Sequence, residues 1–184
     1  MRWEVTSSDI MYHCRIFRVR RDRSRSLSSG ETHDFHVLEV GDWVNVIPVT
    51  TDRRVVLVRQ FRHGIGDLTL EVPAGLIDAT DASPAAAALR ELREETGYGG
   101  GRLVPLGVVH PNPAIMNNRC HMFAAHGVDV VGTPQWDHTE ELVIETHPLD
   151  AIADLIRGGH ITNALTLVAF QLLQLSLGEP GAQD

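Results

Sequence analysis

The chain contains no lysine: all 16 of its basic residues are arginine. That excludes chemistry built on a lysine amine, both the Schiff base and the phosphate-cradling lysine of a P-loop. Cysteine is scarce as well. Cys14 and Cys120 stand far apart without metal-ligand spacing, which supports neither a disulfide framework nor a thiolate metal site and leaves reduced, incidental thiols. Long hydrophobic runs are missing: the longest, 164–177, is broken by Thr166, Gln171, Gln174 and Ser176, and the first residues carry no apolar signal-type core. A cytoplasmic location is expected from these absences. Positive charge is in deficit, with 24 acidic residues and a net charge of −8, so the chain as a whole repels nucleic acid. At 184 residues the chain is too short for a two-domain Rossmann-type dehydrogenase and suits one domain with a small appendage. Its 43% hydrophobic and 22% charged residues are those of a globular protein with a real core.

Charge is segregated once, where Arg15, Arg18, Arg20, Arg21, Arg23 and Arg25 crowd one stretch. It reads as a solvated strand whose arginines pair with the acidic surplus, in preference to a phosphate-binding arm. Ile16, Phe17 and Val19 before the arginines, and Phe35, Val37, Leu38 and Val40 after the turn 28–32, predict a small antiparallel unit over residues 1–42. The main domain is expected over 43–184. It begins with a hairpin whose β-branched strands, 43–49 and 55–58, flank a polar turn. Further strands are expected at 103–109, 120–125 and 142–144. A short helix should follow Pro148 and end at Gly158-Gly159, and a last helix should carry Leu165, Val168, Leu172 and Leu175 at helical spacing.

The clearest helix lies between strands. Ser83 suits the N-cap, Pro84 the first helical position and Gly97 the C-terminal stop, which sets limits near 84–96. Ala85, Ala88, Leu89 and Leu92 make the expected packing stripe. Glu91, Glu94 and Glu95 stand at i, i+3 and i+4, so three carboxylates share one arc within about one turn. Like charges this close disfavour the helix unless a cation neutralises them, and hard oxygens without Cys or His select magnesium, with manganese as substitute. Arg90, one turn before Glu94, can pair with it and orient the set. A bare ExxEE is more often an ordinary solvated acidic face. The flanking residues decide otherwise.

Those residues are Glu71-Val-Pro-Ala-Gly75, the turn 76–82, and Arg90-Glu-Leu-Arg-Glu-Glu-Thr-Gly-Tyr98. Here the sequence resembles the Nudix hydrolase family, whose signature is a glycine, five residues, a glutamate, seven residues, then Arg-Glu-aliphatic-x-Glu-Glu-x-Gly-aliphatic. The second half matches from Arg90 through Gly97, with Tyr98 at the aliphatic position. The first half departs: the glutamate position falls on Ala82 and the glycine position on Leu76, while Gly75 and Asp81 stand one residue early, Asp81 being a stand-in for the glutamate. Arg59-Gln-Phe-Arg62, the Glu71 lead-in and Pro113, fifteen residues past Tyr98, look like the ADP-ribose and nucleoside-diphosphate-sugar pyrophosphatase branch.

The resemblance implies an α+β fold, a Nudix α/β/α sandwich with a mixed sheet plus the small N-terminal antiparallel β unit. It implies a homodimer in which residues 1–42 act as an exchanged arm. It implies Mg2+ held by Glu91, Glu94 and Glu95 with the Ala74 carbonyl, and Arg90 and Glu94 in catalytic roles. The general base falls in the segment 137–141 at Glu140, with Glu141 next; spacing alone would equally suit solvent-exposed loop residues. Arg59, Arg62, Glu71 and Arg119 are candidates for the substrate, because guanidinium forks suit phosphate oxygens, and Trp43 for stacking on a base, although Trp is more often core filler. The implied reaction converts ADP-ribose or a related nucleoside diphosphate sugar to a nucleoside monophosphate and a sugar phosphate. The alternatives are a silent nucleotide-sugar sensor, which would have lost the helix carboxylates, and a hydrolase of nucleoside triphosphates or capped RNA.

Overall fold

The computed structural model describes residues 2–136 and 141–177. Eleven strands are found among these: β1 (Trp3–His13), β2 (Arg18–Ser26), β3 (Thr32–Glu39), β4 (Trp43–Thr50), β5 (Arg54–Arg62), β6 (Asp67–Glu71), β7 (Ala74–Leu76), β8 (Tyr98–Gly99), β9 (Arg102–Val109), β10 (Cys120–Val130) and β11 (Leu142–Pro148). The helices are α1 (Pro84–Thr96), α2 (Ile152–Arg157), which follows a single 3-10 turn, and α3 (Ala164–Leu177). No helix among the described residues is long and apolar enough to cross a membrane. The chain forms two compact units, one of 1–42 with 110–120, the other of 43–109 with 121–184.

In the first unit β1, β2 and β3 form an antiparallel sheet in that order. The arginine stretch is neutralised within it. Arg20 bonds Asp22, Arg21 reaches Asp9 at 2.8 Å, Arg25 reaches Glu4 at 2.7 Å and Arg18 reaches Glu39 at 2.9 Å. Two expectations are corrected here. An extra strand, β1, precedes the arginines, and Ile16 and Phe17 occupy the turn between β1 and β2. No apolar alternation announced β1, because every one of its residues is exposed and most of its partners are polar: Thr6 Oγ1 donates to the Arg23 carbonyl and Ser8 Oγ to Asp22. The loop 110–120 belongs to the same unit. It is held by Leu38 N–H donating to the Ile115 carbonyl at 2.7 Å, Val40 N–H to Asn117 Oδ1, and Arg119 N–H to Asp42 Oδ1.

The second unit is an eight-stranded sheet with the central order β11-β5-β4-β10-β8, where β6 pairs with β5, β7 with β4 and β9 with β10. β4 is buried from Val44 through Val49, as a strand covered on both faces must be. One face packs α1 through Val44, Val46, Val56, Phe123, Ala125 and Val128 against Ala87, Ala88 and Leu92. α3 also packs on β4 and on β9, burying Thr166, Ala169, Phe170 and Leu173. Ser83 Oγ accepts from Ala86 N–H at 3.1 Å and caps α1. At its other end Gly97 takes φ +72°, and a Cβ there would lie 2.4 Å from the Gly132 carbonyl oxygen, so both backbone and neighbour require glycine.

The packing stripe of α1 differs from the expected one. The buried residues are Ala87, Ala88, Leu92, Glu95 and Thr96, while Leu89 is 42% exposed. The cause is Glu95, whose carboxylate accepts from Ala74 N–H at 3.1 Å and turns its own arc of the helix toward the sheet.

Candidate active site

β7 runs antiparallel to β4, with Trp43 opposite Leu76, Val44 opposite Gly75 and Asn45 opposite Ala74. α1 packs against both strands, so the Glu-bearing turn of the helix meets the backbone of 74–76. Gly75 makes that approach possible: a Cβ there would stand 2.1 Å from Glu91 Cδ and Oε1.

Arg90 organises the carboxylates. Its Nη1 donates to Glu91 Oε1 at 2.8 Å and to Glu94 Oε2 at 2.9 Å, its Nη2 to the Leu76 carbonyl and to Asp81 Oδ2, both at 2.9 Å, and its Nε to Asp81 Oδ1 at 3.1 Å. A guanidinium has five N–H donors, and each meets an acceptor here. Hydrogen bonding to Asp81, followed by Glu94 and Glu91, holds Arg90 above its ordinary range against the cost of burial. The Arg90 guanidinium in turn holds the Asp81 carboxyl below the usual carboxylate range. Three glutamates on one helix turn are thus tolerated because one cation is shared between two of them and a backbone N–H serves the third.

The site is less solvated than an isolated acidic face would be. Glu95 is 4% exposed and Glu91 is largely covered, leaving Glu94 as the open member. The donor set is all oxygen, which fits a hard divalent cation and not zinc. Among the described residues no three such side chains converge on one point, and Arg90 Nη1 bridges Glu91 and Glu94. Gln135 and Trp136 are tied to the same helix turn: Gln135 N–H donates to the Glu94 carbonyl at 2.7 Å and Trp136 Nε1 to the Glu95 carbonyl at 2.8 Å. Glu140 lies outside the described residues; Glu141 is exposed, immediately before β11.

The substrate candidates fall into separate clusters. Arg62 meets Glu71 through two parallel hydrogen bonds, at 2.8 and 2.7 Å, on neighbouring strands β5 and β6. Glu71 is 2% exposed; burial pushes its carboxyl up, and donation from Arg62, Thr69 and Asn163 outweighs that and leaves it below its ordinary value. Arg59 Nε donates to Glu145 Oε1 at 2.6 Å, and Glu145 also meets His147 at 3.0 Å. That bond from Arg59 holds Glu145 low despite partial burial. Trp43 opens β4 and is half-buried, and Arg119, in the first unit, has an exposed side chain. The partners Glu145, Thr69 and Asn163 carry no signal in the sequence, because only strand pairing and the start of α3 bring them to their arginine and glutamate.

Comparison with known proteins matches residues 41–165 to the family model described as NUDIX domain. An ADP-ribose pyrophosphatase of Mycobacterium tuberculosis is 28% identical over 166 residues, covering 90% of this chain and 80% of that protein. A CMP-5'-(N-acetyl-N-hydroxy-3-aminopropyl)phosphonate hydrolase of Streptomyces rubellomurinus is 31% identical over 180 residues, covering 97% and 84%. A solved structure described as an ADP compounds hydrolase superposes with a TM-score of 0.85 over 100% of this chain and 98% of its own, at 22% identity, a likeness of fold. The family match runs from the start of β4 to the first turn of α3 and takes in every carboxylate on α1, so the chain belongs to the Nudix family.

Proposed function

We propose that the protein is a magnesium-dependent pyrophosphohydrolase that cleaves ADP-ribose or a related nucleoside diphosphate sugar into a nucleoside monophosphate and a sugar phosphate. The observation that carries this reading is the intact carboxylate set Glu91, Glu94 and Glu95, gathered by Arg90 and by the backbone of 74–76. A nucleotide-sugar sensor would have no need of three glutamates on one turn, whose mutual repulsion has to be offset. The relatives named as ADP-ribose pyrophosphatases support the substrate class. The Streptomyces relative adds CMP-linked phosphonates to the compounds worth testing.

Glu91, Glu94 and Glu95, with the Ala74 carbonyl, would hold the metal. When bound, magnesium supplies charge neutralisation for the pyrophosphate oxygens and for the leaving phosphate. Arg90 keeps Glu91 and Glu94 oriented, and Glu95 is fixed by the Ala74 N–H. Glu140, or Glu141 beside it, takes the proton from the attacking water. Arg59 and Arg62 offer guanidinium groups to phosphate and sugar, and Glu71 sets the orientation of Arg62. Trp43, at the mouth of β4, offers a face to the base.

The protein works as a cytoplasmic homodimer in this reading, with residues 1–42 as the arm. The support is β1, an edge strand whose Trp3, Val5, Ile10, Met11 and Tyr12 are each about half exposed, between 47% and 57%.

The test is substitution on the helix. Glu94→Gln and Glu95→Gln are expected to abolish magnesium-dependent turnover while the melting temperature stays close to wild type, since the amide oxygen introduced at position 95 can still accept from Ala74 N–H. Near-normal turnover by both at saturating magnesium would refute the assignment.

A further inference from the structure

Neutralisation of the arginine stretch stops short of its first member. Arg18 and Arg20 share Glu39, Arg20 also holds Asp22, Arg21 and Arg25 reach Asp9 and Glu4, and Arg23 stands 4.0 Å from Asp34. Arg15, in the turn between β1 and β2, is exposed and has no acidic partner among the described residues. It lines an open hollow of about 460 Å³ within the first unit, with His13, Ile16, Arg18, Glu39 and Asn117 also in the wall. A space of that size admits a small organic molecule.

The hydrogen-bond acceptors around the hollow are engaged. Glu39 gives Oε2 to Arg18 at 2.9 Å and Oε1 to Arg20. The Phe17 carbonyl accepts from Cys14 N–H at 3.0 Å, the Gly41 carbonyl from Asn118 Nδ2 at 3.2 Å, and Asn117 Oδ1 from Val40 N–H at 3.1 Å. The last of these bonds sets which way the Asn117 amide points and leaves its Nδ2 to donate elsewhere. Donors are therefore in surplus: the Arg15 guanidinium, Asn117 Nδ2 and the His13 imidazole have no partner among the described residues. Charge is in surplus with them. Arg18 and Arg20 balance Glu39 and Asp22, so the positive charge of Arg15 stands uncompensated.

We propose that this hollow binds a phosphate monoester, with Arg15 and Asn117 Nδ2 on the phosphate oxygens. Donors in surplus and one excess positive charge repel a metal ion and suit an acceptor-rich anion, for which a guanidinium is the strongest side-chain partner. Ile16, 57% exposed, offers an apolar wall to the organic part of the ligand. The net charge of −8 works against a long polyanion and leaves a small one as the occupant. The proposal uses no residue of the carboxylate set on α1 and does not depend on the hydrolase reading, although both products of that reaction carry such a phosphate.

The test is titration calorimetry with inorganic phosphate, AMP, ribose 5-phosphate and adenosine, in buffer containing chelator so that no divalent cation draws phosphate to the α1 glutamates. The three phosphate compounds should bind with millimolar or tighter dissociation constants, and adenosine, which lacks the anion, should not. Binding of AMP and ribose 5-phosphate without inorganic phosphate would still support the site and show that the esterified form is its source. A hydrogen bond to a charged group is typically worth tenfold or more, so Arg15→Ala should weaken binding by at least about tenfold with an unchanged melting temperature. Asn117→Asp keeps the acceptor for Val40 N–H, replaces the donor with a carboxylate and should also abolish binding. Arg23→Ala removes the same charge from the same sheet, away from the hollow, and should bind as wild type does. No binding by the wild-type protein, undiminished affinity in Arg15→Ala, an equal loss in Arg23→Ala, or adenosine binding as well as AMP would each overturn the proposal. If Arg15→Ala does not fold, Asn117→Asp decides: folded and not binding supports the site, folded and binding overturns it.

Discussion

Gly75→Ala separates the architecture of the site from the stability of the fold. The added methyl would sit 2.1 Å from Cδ and Oε1 of Glu91 and 2.6 Å from Oε2. Non-bonded carbons settle at about 3.5 Å, so the carboxylate must retreat by roughly 1.4 Å. The Glu91 side chain can make that movement, because its far end is the part in the way. The backbone at 75 is not in the left-handed region, so alanine is tolerated there, and the loss of a glycine even restricts the unfolded chain by about 0.4–1 kcal/mol. The retreat breaks the 2.8 Å contact with Arg90 and takes one proposed metal ligand off its position. A misplacement of about 1 Å can cost about 100-fold in rate, equivalent to about 2.7 kcal/mol of barrier. The assay is kcat/KM for ADP-ribose at saturating magnesium, with a thermal melt of the same preparation. Gly64→Ala is the control, because a Cβ at 64 meets nothing within 4 Å. Wild-type kcat/KM in Gly75→Ala, or a loss of activity that tracks a loss of folded protein, would refute the reasoning.

Three further outcomes are expected. Glu140→Gln should lower single-turnover cleavage by about 100- to 10,000-fold while metal-independent ligand affinity holds; if Glu141→Gln is the crippled variant the base moves by one residue, and wild-type rates in both would place it elsewhere. Because the Glu71 carboxyl lies below its ordinary value in the folded protein, its contribution to stability is present above the unfolded value near 4.5 and is lost as pH falls through the lower folded value; urea titrations should show a shallower acid-side decline for Glu71→Gln, which at neutral pH is less stable than wild type. Light scattering at micromolar concentration should give a dimer mass that a chain lacking β1 loses, and a fully active monomer would contradict the exchanged arm.

What could be read from the sequence is what depends on local chemistry. The bounds of α1 were legible because Ser83, Pro84 and Gly97 act on their own helix ends, and the carboxylate cluster because spacing of three and four fixes a shared arc. The β4–β5 hairpin announced itself through β-branched runs around a polar turn. β1 was hidden, since its partners on β2 are mostly arginines, serines and Asp22, contacts that leave no periodic trace. Leu89 was misplaced because helical periodicity cannot see that a buried Glu95 draws another arc inward. The same holds for Asp81: its offset from the family spacing is visible in the chain, whereas its hold on Arg90 depends on the folded turn 78–81.

The central claim, metal-dependent cleavage of a nucleoside diphosphate sugar, is tested most directly by product identification. The protein is incubated with ADP-ribose, other nucleotide sugars, dinucleotides, nucleoside triphosphates and a CMP-linked phosphonate, each with magnesium and with chelator, and the products are identified by mass. The account predicts AMP and ribose 5-phosphate from ADP-ribose, or the corresponding pair from a related sugar nucleotide, formed with magnesium and absent with chelator. Unchanged sugar nucleotides under both conditions, or cleavage confined to nucleoside triphosphates, would contradict it.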